Sequence, residues 1–293
     1  MSALKKLTIV RHNLLGNSSN DTPGVVISEV NYSNGIETER LNYSSEGELE
    51  DHVIIEVENG LPVKETLKIE DEISEFVERV FDDKGRIVSE TNTYQEGGSD
   101  ITTYIYEGEK LIHKVTTDSD GEEGEKEIWE YSDNILIKET KVDLFGETVY
   151  EREYEYDEEG HIESMTEISY HNELPEKTVL IYDKEGRLNI EKRYDGMGKL
   201  VSRTIIEFDE NGRPNHYEEE NVRGKKITLL GYDDSGNNIL QEERDQNDEL
   251  LSSIKREFDN EGRQLQAEVV IQPSLYQPGH HYKLIYLYEF ELS

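Results

Sequence analysis

Through most of the chain, apolar and polar side chains alternate in short runs, and each run stops at a turn signal. In TVYEREYEY at 148–156, Tyr150, Arg152, Tyr154 and Tyr156 fall on one face of an extended segment. Val149, Glu151, Glu153 and Glu155 fall on the other. This is the period of two that a β-strand imposes. TTYIY at 102–106 and KEIWEY at 126–131 repeat the pattern, with Tyr104 and Trp129 two places before the final tyrosine. Leu180, Ile206 and Leu230 take that place later in the chain. One face thus carries a ladder of aromatic and aliphatic side chains, and the other is often Glu or Lys. No stripe of period 3.6 runs long enough to make a substantial helix, and β-branched Thr, Val and Ile are common, so the elements predicted are strands.

The runs are punctuated by YDKEGRL at 182–188 and its variants: FDDKGRI at 81–87, YDEEGHI at 156–162, YDGMGKL at 194–200, FDENGRP at 208–214, YDDSGNN at 232–238 and FDNEGRQ at 258–264. Asp suits the first position of a type I turn, and Gly suits the left-handed position that follows it in a bulged hairpin. The residues before the turns, Tyr32, Val57, Phe81, Tyr106, Tyr131, Tyr156, Tyr182, Phe208, Tyr232 and Phe258, are spaced by 24 to 26 residues. A second turn signal sits halfway through each period, as in SSEG at 44–47, QEGG at 95–98, DSDG at 118–121, DLFG at 143–146, HNEL at 171–174 and DQND at 245–248. One period of about 25 residues is then two strands and two turns, a repeat architecture. The six prolines fall near turn signals, where a lost ladder donor is tolerated.

The fold class predicted is all-β: a long antiparallel β-meander of about twenty strands built from these two-strand repeats. A flat sheet of that size would extend about 100 Å, beyond what open sheets reach without curling, so the sheet is expected to be strongly twisted or coiled, with the aromatic face concave. Three regions follow. Residues 1–24 lack the motif and read as an irregular N-terminal cap; 25–270 form the β-repeat domain; 271–293 supply a C-terminal capping strand. In that last strand Tyr282, Leu284, Tyr286 and Tyr288 oppose Ile285 and Leu287, so both faces are apolar, which suits a strand covering a terminal edge.

The aromatic–Asp–x–x–Gly–Arg–Leu pattern resembles the YD repeats of Rhs and related polymorphic-toxin proteins. It is matched well at Phe81, Tyr156, Tyr182, Phe208 and Phe258 and less well at Tyr194 and Tyr232, with degenerate copies over about 32–270. The resemblance implies a continuous antiparallel sheet, which in that family coils into a shell around a C-terminal toxin. This chain is far shorter and has no toxin-like domain after the repeats. The resemblance therefore implies association with toxin systems and not that the chain is the toxin.

Charge narrows the partners. There are 67 acidic against 31 basic residues, a formal net charge of −36, which disfavours nucleic acid and anionic lipid and favours a basic protein; the plainer consequence of such charge is solubility. Hydrophobic content is only 33%, yet the 18 Tyr and 6 Phe at regular places are unlike a disordered acidic tail. There is no Cys, so neither thiol chemistry nor a disulfide is available. With no signal-peptide or membrane-spanning apolar run, the chain is expected to be soluble, cytoplasmic and not membrane-inserted.

No catalytic, cofactor or metal site is predicted. His12, His52, His113, His161, His171, His216, His280 and His281 show no metal-ligand spacing, and the His280-His281 pair after Pro278-Gly279 reads as a turn. DSDGEEGE at 118–125 looks like a calcium loop but lacks the required oxygen ligands. The turn Asp residues could form a carboxylate ladder, although capping their own turns is the simpler role. Arg86, Arg187, Arg213 and Arg263 recur just after the turn Gly and are expected to pair with nearby carboxylates. With no nucleophile elbow, phosphate loop or dinucleotide fingerprint, the expected function is non-enzymatic: an acidic immunity protein or antitoxin that neutralises a basic toxin by direct binding. The alternative is a structural or adhesive repeat protein, taking glycan on its aromatics.

Overall fold

The computed structural model describes residues 3–14, 23–170, 174–274 and 278–291. The turn read at 171–174 therefore lies largely outside the described residues, and so does His171. The strands of the first half are β1 (Leu4–Asn13), β2 (Val25–Ser33), β3 (Ile36–Tyr43), β4 (Leu49–Glu58), β5 (Leu61–Ile69), β6 (Glu72–Phe81), β7 (Ile87–Tyr94), β8 (Ser99–Glu107), β9 (Lys110–Thr117), β10 (Glu123–Ser132) and β11 (Ile135–Val142). Those of the second half are β12 (Thr148–Tyr156), β13 (Ile162–Ser169), β14 (Glu176–Tyr182), β15 (Leu188–Tyr194), β16 (Leu200–Phe208), β17 (Pro214–Asn221), β18 (Gly224–Tyr232), β19 (Asn238–Asp245), β20 (Leu250–Phe258), β21 (Gln264–Ile271) and β22 (His280–Phe290). All belong to one 22-stranded sheet, in which each strand is antiparallel to its neighbours in sequence.

The sheet closes. β1 pairs with β2 on one side and with β22 on the other, from Leu4↔Phe290 to Asn13↔Tyr282. The expected open, coiled meander of about twenty strands is therefore corrected to a closed barrel of 22. Residues 4–13, read as part of an irregular cap, are instead the strand that completes the ring. Closure leaves no free edge, which is the fullest solution to the hazard of unpaired strand edges. The cytoplasmic expectation is withdrawn with the open sheet: a closed antiparallel barrel of even strand number is the architecture of bacterial outer-membrane proteins.

Curvature comes from the repeat itself. At all ten anchors the ladder slips by one residue; Glu155 pairs with Ser164 but Tyr156 with Ile162, leaving Glu163 as an extra residue. Such bulges bend and twist a strand. They also offset the register from repeat to repeat. Following the ladder from Arg152 through Glu139 to Trp129 moves from four residues before Tyr156 to two before Tyr131. Stagger of this kind, accumulated around the ring, is what closing a barrel requires.

Among the described residues no strand crosses the interior of the barrel. No strand comes within 8 Å, Cα to Cα, of any strand but its two ladder partners. Among the described residues no side chain is fully buried, and the buried apolar set is Val30, Val53, Ile206, Ala267 and Val269. The surface is 18905 Å², against roughly 13,000 Å² for a compact monomer of this mass. A ring of 22 strands with ordinary tilt would be about 40 Å across.

Where Asp and Gly are kept, after Phe81, Tyr156, Tyr182, Phe208, Tyr232 and Phe258, the anchor turn is held by the motif that marks it. Around Gly186, which adopts φ 74°, the Asp183 N–H donates to the Arg187 carbonyl and the Gly186 N–H to the Asp183 carbonyl, both at 2.9 Å. Asp183 Oδ1 accepts from the backbone N–H of Glu185 and Arg187, and Oδ2 from Arg187 Nε at 2.8 Å. The Arg187 guanidinium then lies 4.4 Å over the Phe208 ring of the next repeat. Arg86 over Tyr106 and Arg213 over Tyr232 repeat the contact at 4.3 and 4.5 Å. In return, Tyr106 and Tyr232 donate their hydroxyls to the carbonyls of Ile87 and Pro214, just after the preceding turn. Sequence placed these arginines beside carboxylates; the stack that ties one hairpin to the next is an added finding.

These turns make stability sensitive to acid. The side chain and then the backbone N–H of Arg213 hold the Asp209 carboxyl below its ordinary value, and backbone N–H groups lead the same effect at Asp82, Asp157 and Asp259. A carboxyl whose folded pKa is depressed stabilises the fold above its unfolded value, about 3.9, and that stabilisation is lost as pH falls through the folded value. Asp209→Ala is expected to lower the urea midpoint at pH 7 and to make much less difference at pH 2.5. An equal loss at both pH values would count against the charge-assisted cap.

Candidate functional site

The two faces of the barrel wall differ. Register places Tyr104, Lys114, Trp129, Tyr150, Arg152, Tyr154 and Tyr286 on one face together with all five buried apolar residues. Burial is the leading cause that pushes the Tyr104, Tyr150, Tyr154 and Tyr286 phenols up. On the opposite face the apolar side chains stay open, with Val80, Ile101, Ile105, Leu229 and Leu287 between 38 and 57% exposed. Crowding of this kind marks the tyrosine face as the concave, lumenal one.

The lumen is lined by ion pairs set among the aromatics, not by a continuous aromatic ladder. Arg152 on β12 donates to Glu167 on β13 at 2.6 Å and to Glu139 on β11 at 3.1 Å. Its guanidinium covers the Tyr150 ring at 4.6 Å, and Tyr154 donates to Glu139 at 2.9 Å. Six strands earlier Arg79 on β6 lies between Glu65 and Glu90, at 3.4 and 2.8 Å. Six strands later Lys226 on β18 lies between Glu219 and Glu243, at 3.7 and 3.5 Å. Three acid–base–acid bridges therefore brace the inner wall. For Arg152, burial alone would lower its pKa, but the hydrogen bonds it donates to Glu167 and Glu139 outweigh it and raise it.

The outer wall is also charged in its strand centres. Lys138 pairs with Glu151 at 2.8 Å, Lys64 with Glu78 at 3.2 Å and Arg203 with Glu220 at 3.0 Å. Acidic residues gather at the hairpin tips, as in Glu70, Asp71 and Glu72, or Asp118, Asp120 and Glu122.

Among the described residues the histidines do not converge. His52 faces Glu39 at 2.8 Å, His216 faces Glu207 at 3.2 Å, and His161 faces its own turn residue Asp157 at 3.4 Å. His280 and His281 are the first residues of β22 and not a turn, and His281 lies 2.7 Å from Glu268. Among the described residues no group of three or more His, Asp or Glu is placed to hold a metal ion. DSDGEEGE is one of the repeat turns, in which Asp118 accepts from the N–H of Asp120 and Glu122 at 2.9 Å. The turn carboxylates are committed in the same way, each to its own backbone.

No family model and no curated protein matches the chain. Among solved structures it is similar to a porin-like protein from Bacteroides uniformis ATCC 8492, at 9% identity and TM-score 0.33, with 99% of each chain covered. A porin-like protein from Bacteroides vulgatus ATCC 8482 matches at 12% identity and TM-score 0.24, again over 99% of each chain. TcdB2-TccC3 without its hypervariable C-terminal region matches at 12% identity and TM-score 0.25, over 90% of this chain but 19% of that one. At such identities and TM-scores these likenesses assign no family; the chain is a β-repeat protein closed into a barrel, with porin-like proteins and TcdB2-TccC3 among its structural neighbours.

Proposed function

We propose that the chain is a non-enzymatic binding protein that grips a basic protein, most concretely an immunity protein that neutralises a cognate toxin. The observation that carries this reading is the distribution of a net charge of −36. Nine lumenal charges are matched in the three acid–base–acid bridges, while the hairpin tips expose acidic groups where a partner can reach them. A field of that sign raises the encounter rate with a cationic surface and disfavours acidic competitors. The outer wall supports a water-facing role, since charged pairs such as Lys138–Glu151 occupy strand centres and each such charge would cost up to about 2–4 kcal/mol at a bilayer midplane. The adhesive, glycan-binding reading fares less well: Tyr150 is already covered by Arg152, and the Tyr154 hydroxyl is taken by Glu139.

The test is co-expression with the product of the neighbouring reading frame, followed by stopped-flow association of the purified pair. Protection is expected, with an association rate that falls about tenfold or more between 50 and 500 mM salt. Absence of protection together with absence of binding sinks the reading; binding at a salt-independent rate sinks the electrostatic mechanism.

A further inference from the structure

The two rims of the barrel are unlike. Turns that follow even-numbered strands lie at one end and are polar throughout: DEEG at 157–160, DKEG at 183–186, DENG at 209–212 and DDSG at 233–236. Turns that follow odd-numbered strands lie at the other end, and four consecutive ones break the rule. Leu144 and Phe145 occupy the β11–β12 tip, Leu174 the β13–β14 connection, Met197 the β15–β16 tip and Val222 the β17–β18 tip. They are 61, 79, 53, 80 and 79% exposed, respectively, in positions where turn chemistry calls for Asn, Asp, Ser or Gly.

These tips form one surface. Successive hairpins stand two strands apart, so the four span an arc of roughly 30 Å. Two of them touch: a Cβ on Gly196 would meet the Leu174 Cβ at 2.2 Å, so the loop carrying Met197 is packed directly against Leu174. Lys199 and Arg223 lie within the arc, and acidic tips flank it, with Asp118 and Asp120 on the hairpin to one side and Asp245 and Asp248 on the hairpin to the other. An apolar centre with Phe and Met between charged flanks has the composition of a protein-docking surface.

We propose that this arc is where the basic partner docks, and that the partner presents an apolar patch framed by Lys and Arg. The proposal rests on the acidic-binder reading above. Charge complementarity selects this occupant. A second copy would set the same acidic flanks face to face, and the flanks also repel an anionic membrane.

Two labelled peptides of equal positive charge serve as probes, an amphipathic Lys/Leu helix former and an oligolysine, titrated by fluorescence anisotropy into the full chain and its L144S/F145S/M197S/V222S variant. The amphipathic peptide should bind the variant about tenfold or more weakly, while oligolysine binds both proteins alike. Equal amphipathic affinity for both proteins overturns the docking arc and leaves the acidic-binder reading standing. Failure of both peptides to bind the unmodified chain overturns that reading and the arc with it, and binding of oligolysine alone overturns only the arc. Co-sedimentation with phosphatidylcholine vesicles that the variant loses would assign the arc to a bilayer, and a dimer that the variant loses would assign it to a second copy; either overturns the proposal. Should the fourfold variant misfold, F145S and M197S singly carry the same test, each with a loss of about threefold.

Discussion

Deleting residues 1–24 is expected to abolish the closed monomer, whereas deleting a whole internal repeat is expected to preserve it. The reason is strand parity. In a ring of antiparallel neighbours β1 and β22 run in opposite directions and can pair, as they do along their length. Without β1, the strands left to meet are β2 and β22, which run the same way. The bulges that set the stagger deliver an antiparallel seam, so these two strands would face each other in the wrong sense. The ring would open and expose two long edges, which associate. Excising residues 183–208 instead removes β15 and β16 together and joins Tyr182 to Asp209, regenerating an aromatic–Asp–x–x–Gly turn. Twenty strands remain, an even number, and the removed repeat takes its own share of stagger with it. In sedimentation velocity the N-terminal deletion should run mostly as oligomers and the repeat deletion as a monomer. A monomeric N-terminal deletion with its β2 and β22 amides protected from exchange would refute closure through β1.

The contrast shows what sequence could and could not reveal. The turn at 182–188 was legible because its physics is local: Asp183 caps N–H groups two and four residues on, and Gly186 supplies the left-handed residue. Closure was not, since it joins residues as distant as Leu4 and Phe290 and depends on stagger summed over every bulge. The one trace it left was β22, read as a strand that covers a terminal edge, which it does by pairing with β1 as well as β21. The lumenal bridges were half legible. Alternation put Tyr150, Arg152 and Tyr154 on one face, but choosing Glu139 and Glu167 as partners needs the register on both sides, and a slip of one residue would exchange the faces. The Arg stacks had a readable signal, an Arg recurring 19 to 21 residues before the next anchor in the pairs Arg86/Tyr106, Arg187/Phe208 and Arg213/Tyr232. The apolar rim had one too, in DLFG and DGMG, where Leu144, Phe145 and Met197 stand in place of the polar residues turns favour.

Arg152→Ala is expected to be among the most destabilising single substitutions in the wall. The side chain does three things at once: it bridges β11 to β13 through β12, neutralises Glu139 and Glu167, and covers the Tyr150 ring. Truncation leaves two carboxylates on the crowded face with no cation between them. Loss of one member from a fully buried set costs about 3–5 kcal/mol, and exposed pairs contribute less than about 1. With Arg152 at 34% and Glu139 at 15% side-chain exposure, a loss of about 2 kcal/mol is expected in urea denaturation. Arg152→Lys keeps the charge but lacks the planar fork that reaches two carboxylates, so about half the loss should return. The triple variant E139Q/R152M/E167Q separates the possible causes. If the loss in Arg152→Ala comes from stranded charge, the triple variant should lie within about 1 kcal/mol of the unmodified protein, because no unpaired ion is left behind. If it is instead as unstable as Arg152→Ala, the bridge stabilises the wall through its own attraction, and the inner ring of acid–base–acid bridges is a principal brace of a barrel that has almost no packed core.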